Sequence, residues 1–430
     1  MAKGEKRKVG SYEWRGKDSV RLTVRAGTDP ETGEPLRPTK TVKVKPGDER
    51  AAEKALARFV TEVETGKYKK PSKMTVKQLS ERFLRDNPDL SDTTRHNYEL
   101  YLNGYILPAM GHKKIDKVHS TNLYDYYNNL KEDGIRKDGK PGGFSPATIQ
   151  KHHNIISSMF TFAVKNLKEL KKDQNPCKDV TPVKIPRRKK ASLDKAPARD
   201  LLRALEKESL KYRVMTVLDS ATGMRRGEIL GIGDSTLDLE NCVIKVIRAS
   251  TFIPKEEITI GDPKTETSIR FIPFHKSIIP LLQEMIAARN KQREKCGDKW
   301  VKKVKIHGEW VDNDLLFTQW NGKPMHPNSI DTWFRKFREE NGFPESLKFH
   351  GLRHTNIHLL LKAGADLETV MGNAGHADSS TTIDYDDPDA EALRELANKI
   401  NDALSLESIV PELLGKPVNI RRKRTSPKEE

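Results

Sequence analysis

The segment GHADSSTTIDYDDPDA, residues 375–390, contains two side chains that could take part in nucleophilic chemistry. Tyr385 becomes a nucleophile when a base removes its proton and neighbouring positive charge lowers the phenol pKa from its ordinary value near ~10. His376 lies nine residues upstream, and at about 100° per residue the two would face opposite sides of a continuous helix. Residues 379–382, Ser-Ser-Thr-Thr, can cap a new helix, so we predict a break between the two side chains.

Two further pairs combine an arginine with a residue that can hold or move a proton. Arg225 and Glu228 in ATGMRRGEILGI, like His350 and Arg353 in KFHGLRHTNIHLL, are three residues apart and therefore share a helical face. A guanidinium matches two non-bridging phosphate oxygens, and an imidazole can transfer a proton. Lys264 follows Asp-Pro at a predicted hairpin tip and could reach a neighbouring site. Taken singly, such pairs are more often surface ion pairs, and hairpin lysines mostly keep sheet edges soluble.

The amino-terminal residues 10–45 alternate with a period of two, which predicts a small antiparallel sheet. Val20, Leu22 and Val24 lie on its apolar face, and a helix capped by Asp48 can cover that face. A basic outer face backed by a helix could lie in a DNA major groove; the alternative is an ordinary solvated face. The candidate DNA-binding residues on the outer face are Arg21, Arg25, Lys43 and Lys45.

The rest of the chain is predicted to be mainly helical, with a strand-like insertion in its second half. Within residues 74–180 a long helix has Ser145 as its cap and Pro146 at its first position. His152 and His153 lie in that helix without a carboxylate partner at ligand spacing. We therefore predict that they are exposed or contact the DNA backbone, rather than bind a metal.

The composition indicates a nucleic-acid partner. The formal net charge is +17 and the pI about 9.5, so a polyanion is expected. Three scattered cysteines, no signal peptide and no apolar run of ~20 residues predict a reducing cytoplasm and no membrane association. Without a metal-ligand motif or a phosphate-binding glycine loop, we expect chemistry that needs no metal, cofactor or ATP. A second set of candidate DNA contacts lies in a basic, proline-containing linker and comprises Arg187, Arg188, Lys189 and Lys190.

Taken together and in chain order, the candidate residues resemble the catalytic set of the tyrosine recombinases, the phage integrase family. That set is Arg225, Glu228, Lys264, His350, Arg353, His376 and Tyr385. The phrases ATGMRRGEILGI, PKTETSIRFIPF, FHGLRHT and GHADSSTTIDY resemble the family's motifs, densely over residues 195–395. Two phrases depart from the family pattern: GIGDSTLDLEN lacks a tryptophan that is common there, and Asn373-Ala374 replaces a larger apolar residue. Both departures affect packing more than chemistry.

The resemblance implies a mainly α fold with small antiparallel β elements and a three-domain architecture. The implied domains are an arm-type DNA-binding domain of three strands and a helix (1–66), a helical core-binding domain (74–180) and a mixed α/β catalytic domain with a helical tail (195–415), with basic linkers at 67–73 and 181–194 and a basic disordered tail at 416–430.

The resemblance also implies a reaction in which Tyr385 attacks a scissile DNA phosphate, forms a 3′-phosphotyrosyl link and releases a 5′-hydroxyl. The other implied roles are phosphate binding by Arg225, Arg353 and His376, protonation of the leaving oxygen by Lys264, proton transfer by His350, and orientation of Arg225 or its neighbours by Glu228. The reaction would integrate and excise a mobile element, from a phage or a conjugative transposon. The alternatives are a type IB topoisomerase, which needs no arm domain, and a catalytically inert DNA-binding factor.

The expected partner is double-stranded DNA, at core and arm attachment sites in the bacterial cytoplasm and nucleoid. We expect a free monomer and a homotetramer on DNA, with an excision factor or a DNA-bending protein as candidate partners. After Tyr385 an amphipathic tail carries an apolar stripe of Leu393, Leu396, Ile400 and Leu404. In the family such a tail packs on a neighbouring protomer, and the alternative is packing on its own domain.

Overall fold

The computed structural model divides the chain into two compact units, Met1–Pro186 and Arg187–Glu430. No helix among the residues it describes is long and apolar enough to cross a membrane. The described residues are 9–28, 35–65, 68, 72–171, 173–181, 184–186, 191–254, 256–263, 269–375 and 388–415.

The first unit begins with an antiparallel sheet covered by a helix, as predicted. Its elements are β1 (Gly10–Trp14), β2 (Ser19–Val24), β3 (Thr39–Lys43) and α1 (Glu49–Glu64), with strand order β1-β2-β3. Val20, Leu22 and Val24 are fully buried and pack in one cluster with Phe59 of α1. Asp48 caps α1 by accepting a hydrogen bond from a first-turn amide. The alternation of β2 therefore assigned its two faces correctly.

The remainder of the first unit is helical. Its helices are α2 (Val76–Asp86), α3 (Asp92–Tyr101), α4 (Leu107–Met110), α5 (Ser120–Asn129) and α6 (Pro146–Lys165), with a π-helical segment at Leu102–Ile106 between α3 and α4. Ser145 caps α6 and Pro146 occupies its first turn, as predicted. Ile156, Met159 and Phe160 of α6 are completely buried, so α6 lies at the centre of this helical core.

The prediction that His152 is exposed or contacts DNA is wrong. His152 is fully buried, and its Nδ1 shares a hydrogen bond of 2.7 Å with the hydroxyl of Tyr126. Its ring packs edge-on against Tyr101 and lies beside other aromatic rings. His153 is half-buried and bonds the Tyr127 hydroxyl at 3.0 Å. Tyrosine hydroxyls from the neighbouring helix α5 offset the burial of both imidazoles, and sequence spacing within α6 cannot show this.

We expect His152 to make the first unit sensitive to acid, because burial lowers its pKa from 6.5 to about 4. A folded-state pKa below the unfolded value means that the unfolded chain binds the proton first. The free energy of unfolding of the first unit is therefore highest above pH 6.5 and falls as the pH drops toward 4. The loss is roughly 3 kcal/mol, at about 1.4 kcal/mol per pKa unit. Hydrogen exchange of the α6 amides in the full-length protein, corrected for intrinsic rates, should report this loss. His152→Phe should flatten the pH dependence, and an equal slope in both proteins would contradict the assignment.

The second unit is a mixed α/β fold. Its helices are α7 (Lys195–Ala204), α8 (Leu210–Thr222), α9 (Arg226–Leu230), α10 (Ile279–Cys296), α11 (Pro327–Glu340), α12 (Gly351–Lys362), α13 (Leu367–Asn373), α14 (Pro388–Leu404) and α15 (Leu406–Leu413). Its strands are β4 (Leu237–Asp238), β5 (Val243–Val246), β6 (Ala249–Thr251), β7 (Thr259–Gly261), β8 (Arg270–Pro273), β9 (Lys303–Ile306) and β10 (Glu309–Asp312). They form two sheets, in the orders β4-β5-β8 and β10-β9-β7-β6. All pairings are antiparallel except β7 with β9, so the mainly helical fold with small sheets is confirmed.

Helices α8 and α12 pack against each other at the centre of the second unit. From Arg213 to its end every residue of α8 is buried. Gly223 ends α8 with a φ of +64°, and a Cβ atom there would lie 2.9 Å from the Asn356 side-chain oxygen of α12. A glycine is thus required both by the backbone conformation and by the close approach of α12. The close packing holds the two helices that flank the candidate site.

The amphipathic tail packs on its own unit, so the expectation of packing on a neighbouring protomer is wrong. Leu393, Leu396, Ile400 and Leu404 are at most 5% exposed and belong to the main core of this unit. Arg199 of α7 also donates hydrogen bonds to backbone carbonyls at the end of α14. The stripe fills the space beside α7, α8 and α12, which only the folded chain reveals.

Ion pairs hold the phrase GIGDSTLDLEN, which lacks the tryptophan common in the family. Arg289 of α10 binds both carboxylate oxygens of Asp234, at 3.0 and 2.9 Å. Arg248 is buried, binds Asp314 at 2.8 Å and donates to the carbonyl of Gly231 in the phrase at 2.6 Å. The segment that follows α9 is thus fixed by bidentate and buried charge pairs.

Candidate active site

The candidate site begins at the start of α9, where Arg225 and Glu228 bind each other as their spacing predicted. The backbone N–H of Arg225 donates to Glu228 Oε2 at 2.9 Å, and Arg225 Nη1 donates to Oε1 at 2.8 Å. The Glu228 side chain is only 2% exposed, whereas that of Arg225 is 35% exposed. The buried carboxylate thus fixes the Arg225 guanidinium and leaves part of it open to a ligand.

A second arginine, Arg270 of β8, was missed by the sequence reasoning. It is buried and binds Glu228 through two hydrogen bonds, Nη2 to Oε2 at 2.8 Å and Nη1 to Oε1 at 3.2 Å. Burial raises the pKa of the Glu228 carboxyl, but the charge of Arg270 and hydrogen bonds from both arginines outweigh this effect and hold it below its ordinary value. One signal was available: the alternation of β8 puts Arg270 on the same buried face as Ile272.

Arg353 of α12 lies in the same cluster. It is only 2% exposed and donates hydrogen bonds to the backbone carbonyls of Gly223 and Ala374. Burial lowers the Arg353 pKa to about 10, and the nearby charge of Arg225 acts in the same direction. At neutral pH Arg353 therefore remains a cation, and an approaching anion would relieve the cost of its burial.

The three arginines converge on the last three residues before His376. Arg270 Nε donates to the carbonyl of Asn373 at 2.9 Å, Arg353 to that of Ala374, and Arg225 to that of Gly375. These carbonyls are consecutive and lie at the end of α13. Three guanidinium groups on α12, β8 and the start of α9 therefore hold the backbone that leads into His376.

His350 directly precedes α12 and is exposed. Its ring lies 5.0 Å from that of His354, at a steep angle. Its neighbour in the motif, Arg353, is buried, so the two side chains differ in their access to solvent. The structure thus places His350 at the surface and Arg353 in the guanidinium cluster.

Three predicted site residues, Lys264, His376 and Tyr385, lie outside the described residues. The strand that leads toward Lys264 is β7, and the carboxylate of Asp262 just after it binds His307 Nδ1 at 2.9 Å. The linker residues Arg187, Arg188, Lys189 and Lys190 also lie outside the described part of the chain. Their roles stay predictions.

The candidate DNA contacts of the amino-terminal sheet are all exposed. Arg21 pairs with Thr41 across β2 and β3, on the face opposite Leu22. Lys40 pairs with Leu22 instead and turns toward α1, where it binds Glu62 at 2.8 Å. The positions predicted on the outer face are Arg21, Arg25, Lys43 and Lys45.

Within the described residues, no group of three or more His, Cys, Asp or Glu side chains is arranged to hold a metal ion.

Asp219 of α8 is a further buried acid beside the cluster. It is 1% exposed, and burial raises its pKa well above the ordinary value, with the charge of Arg353 opposing and that of Glu228 adding to the rise. The folded protein therefore binds the proton of this carboxyl more tightly than the unfolded chain does. The cost to stability appears above the unfolded pKa and grows as the pH rises.

We expect Asp219→Asn to stabilise the second unit at pH 7, because it removes the cost of burying a carboxyl whose pKa is raised on folding. The melting temperature should rise by a few degrees, at roughly 2–4 °C for each kcal/mol in a unit of this size. The gain should nearly vanish at about pH 3, below the ordinary pKa of 3.8, where the unfolded chain also keeps most of its proton. Thermal unfolding at the two pH values tests this, with the exposed Asp200→Asn as the control. A loss of stability at pH 7 would contradict a raised pKa for Asp219.

The cluster of fixed arginines in the second unit is suited to binding a DNA phosphate, and comparison with known proteins agrees. Residues 191–392 match the model of the phage integrase family, and residues 75–131 match that of the phage integrase N-terminal SAM-like domain. The chain belongs to the phage integrase family and is a tyrosine recombinase, an enzyme that cleaves and rejoins DNA.

Individual relatives are similar to this chain along most of its length. A tyrosine recombinase XerC-like protein of Caldanaerobacter subterraneus subsp. tengcongensis is 28% identical over 397 residues, covering 87% of this chain and 93% of its own. The ICEBs1 integrase of Bacillus subtilis is 22% identical and covers 89% and 97%. A structure of the Tn1549 transposon integrase in complex with transposon right end DNA is 21% identical, with a TM-score of 0.57, and covers 77% and 100%. That likeness shows the shared fold.

Proposed function

We propose that this chain is the integrase of a mobile genetic element, which it integrates and excises through a 3′-phosphotyrosyl intermediate. The observation that carries the proposal is the convergence of Arg225, Arg353 and Arg270 on the backbone directly before His376. Relatives named as the integrases of ICEBs1 and Tn1549 support a mobile element as the substrate.

The arginines would bind the scissile phosphate. Arg225 is partly exposed and keeps N–H groups for a phosphate oxygen while Glu228 holds its other side. Arg353 is buried and donates to two backbone carbonyls, so a phosphate oxygen that reaches it would use its remaining N–H donors or replace one of these partners. Negative charge grows on the non-bridging oxygens in the transition state, and fixed cations stabilise it more than the ground state.

The covalent step would follow from the four remaining residues. The Tyr385 hydroxyl gives its proton to His350 as its oxygen attacks phosphorus, the bond from phosphorus to the 5′-oxygen breaks, and that oxygen takes a proton from Lys264. His350 assists proton transfer and His376 binds a non-bridging oxygen. The new phosphotyrosine ester keeps the energy of the broken bond, so a 5′-hydroxyl of the recombining strand can reverse the step and release the tyrosine without ATP.

The modules would divide the DNA between them. We assign arm-site binding to residues 1–66, core-site binding to residues 74–180 and to the catalytic residues 195–415, and backbone contacts to Arg187, Arg188, Lys189 and Lys190 of the linker 181–194. The exposed basic face of the amino-terminal sheet supports the first assignment. We place the protein in the bacterial cytoplasm on the nucleoid, where its substrate lies and where its three free cysteines stay reduced.

Recombination between two duplexes requires four strand cleavages, and each chain carries one Tyr385. We therefore propose a free monomer that forms a homotetramer on DNA. Because the stripe of α14 is buried on its own unit, the contacts between protomers would use other surfaces. An excision factor and a DNA-bending protein are further candidate partners for the choice between integration and excision.

A nicked suicide duplex that carries the core site tests the covalent step. The full-length protein should form a covalent DNA adduct, and Tyr385→Phe should abolish the adduct because it removes the nucleophile while leaving binding intact. Tyr124→Phe, at an exposed tyrosine of the first unit, is the matched control. No adduct on a duplex that the wild type binds would favour an inert DNA-binding factor. Relaxation without strand exchange between two sites would favour a topoisomerase.

We expect the outer face of the amino-terminal sheet to bind arm DNA through phosphates. Arg21→Ala and Lys43→Ala should each weaken binding and reduce the slope of log affinity against log salt by about 1, since each loses one phosphate contact. Lys40→Ala, on the inner face of the same strand, should leave that slope unchanged. Fluorescence anisotropy at several salt concentrations measures all three. Equal slopes for the outer-face and inner-face variants would contradict the assignment.

A further inference from the structure

We propose that Arg270 is a positioning residue of the recombination reaction, which fixes Arg225 and the backbone before His376 relative to each other. The inference rests on the proposed function, because it gives Arg270 a role in binding the scissile phosphate through its neighbours. Arg270 itself is 5% exposed and on the buried face of β8, so it acts through the groups that it holds.

The first contact of Arg270 fixes the carboxylate of Glu228. Oε1 accepts from Arg225 Nη1 at 2.8 Å and from Arg270 Nη1 at 3.2 Å. Oε2 accepts from the Arg225 backbone N–H at 2.9 Å and from Arg270 Nη2 at 2.8 Å. Because four donors bind its two oxygens, the Glu228 carboxylate is held in one orientation. The carboxylate in turn fixes the orientation of the Arg225 guanidinium that binds it.

The second contact ties the same guanidinium to the end of α13. Arg270 Nε donates to the carbonyl of Asn373 at 2.9 Å. Gly375, two residues on, has a φ of +65°, and a Cβ atom there would lie 3.0 Å from Arg270 and 3.2 Å from Arg225. Because a guanidinium is planar and rigid, Glu228 and the backbone that leads into His376 are fixed by one group.

Charge gives Arg270 a second effect on the site. Arg225, Arg270 and Arg353 carry three positive charges against the one negative charge of Glu228, whose pKa is held low. Arg270 offsets Glu228, so the charges of Arg225 and Arg353 are available to the phosphate. Without Arg270, the buried carboxylate 2.8 Å away would largely neutralise the charge of Arg225.

Arg270→Lys tests the inference, because lysine keeps the charge and loses the planar, bidentate geometry. The matched control is Arg289→Lys, since Arg289 also binds one carboxylate through two nitrogens and donates to one backbone carbonyl, that of Asp314. Single-turnover cleavage is measured for the full-length proteins on two suicide duplexes. One carries the ordinary scissile phosphate, and the other a methylphosphonate, which lacks the non-bridging negative charge.

On the phosphate duplex we expect Arg270→Lys to cleave about 100-fold more slowly than wild type, with DNA affinity changed by less than about 3-fold, as for a misplaced transition-state contact. On the methylphosphonate the deficit should shrink to less than about 10-fold, because misaligned arginines then have less charge to stabilise. Arg289→Lys should show the same small ratio on both duplexes, since a loss of folding does not depend on the phosphate.

The outcomes separate this inference from the proposed function. If the wild type forms no adduct, the proposed function fails. If the wild type forms the adduct and Arg270→Lys cleaves both duplexes at the wild-type rate, or with equal deficits, Arg270 has no positioning role. Folding is checked by circular dichroism, and Arg270→Gln, which keeps two donors, serves as a second variant. Failure of both variants to fold while Arg289→Lys folds would make Arg270 a folding residue and overturn the proposal.

Discussion

The catalytic unit depends on one buried carboxylate, that of Glu228. A buried charge is costly unless its partners satisfy it, and here two arginines and a backbone amide do so. The arrangement joins the start of α9 to β8, two elements that the chain separates by about forty residues. The rigidly held carboxylate then fixes the partly exposed Arg225 guanidinium, whose side chain would otherwise be flexible.

The same requirement explains the end of α13. Three arginines would repel one another, yet each finds a carbonyl of the segment Asn373–Ala374–Gly375, and carbonyl dipoles offset part of the repulsion. Small residues are needed there, because a Cβ at Gly375 would lie within about 3.2 Å of two guanidiniums.

The helices of the tail support the site by packing against helices of the same unit. Helices α14 and α15 bury their apolar stripe against α7, α8 and α12, and α12 carries Arg353. The tail contributes to the stability of the unit that forms the site.

The sequence by itself determined the class of fold, the sheet and helix at the amino terminus, the caps of α1 and α6, and the pairing of Arg225 with Glu228. These follow from short-range rules, namely strand alternation, capping chemistry and the spacing of residues along a helix. Only the tertiary structure decided what depends on distant contacts: Arg270 on Glu228, the burial of His152 against Tyr126, and the packing of the tail on its own unit. Each of these contacts joins residues that lie more than twenty positions apart, and a local sequence pattern cannot predict which distant residues come into contact.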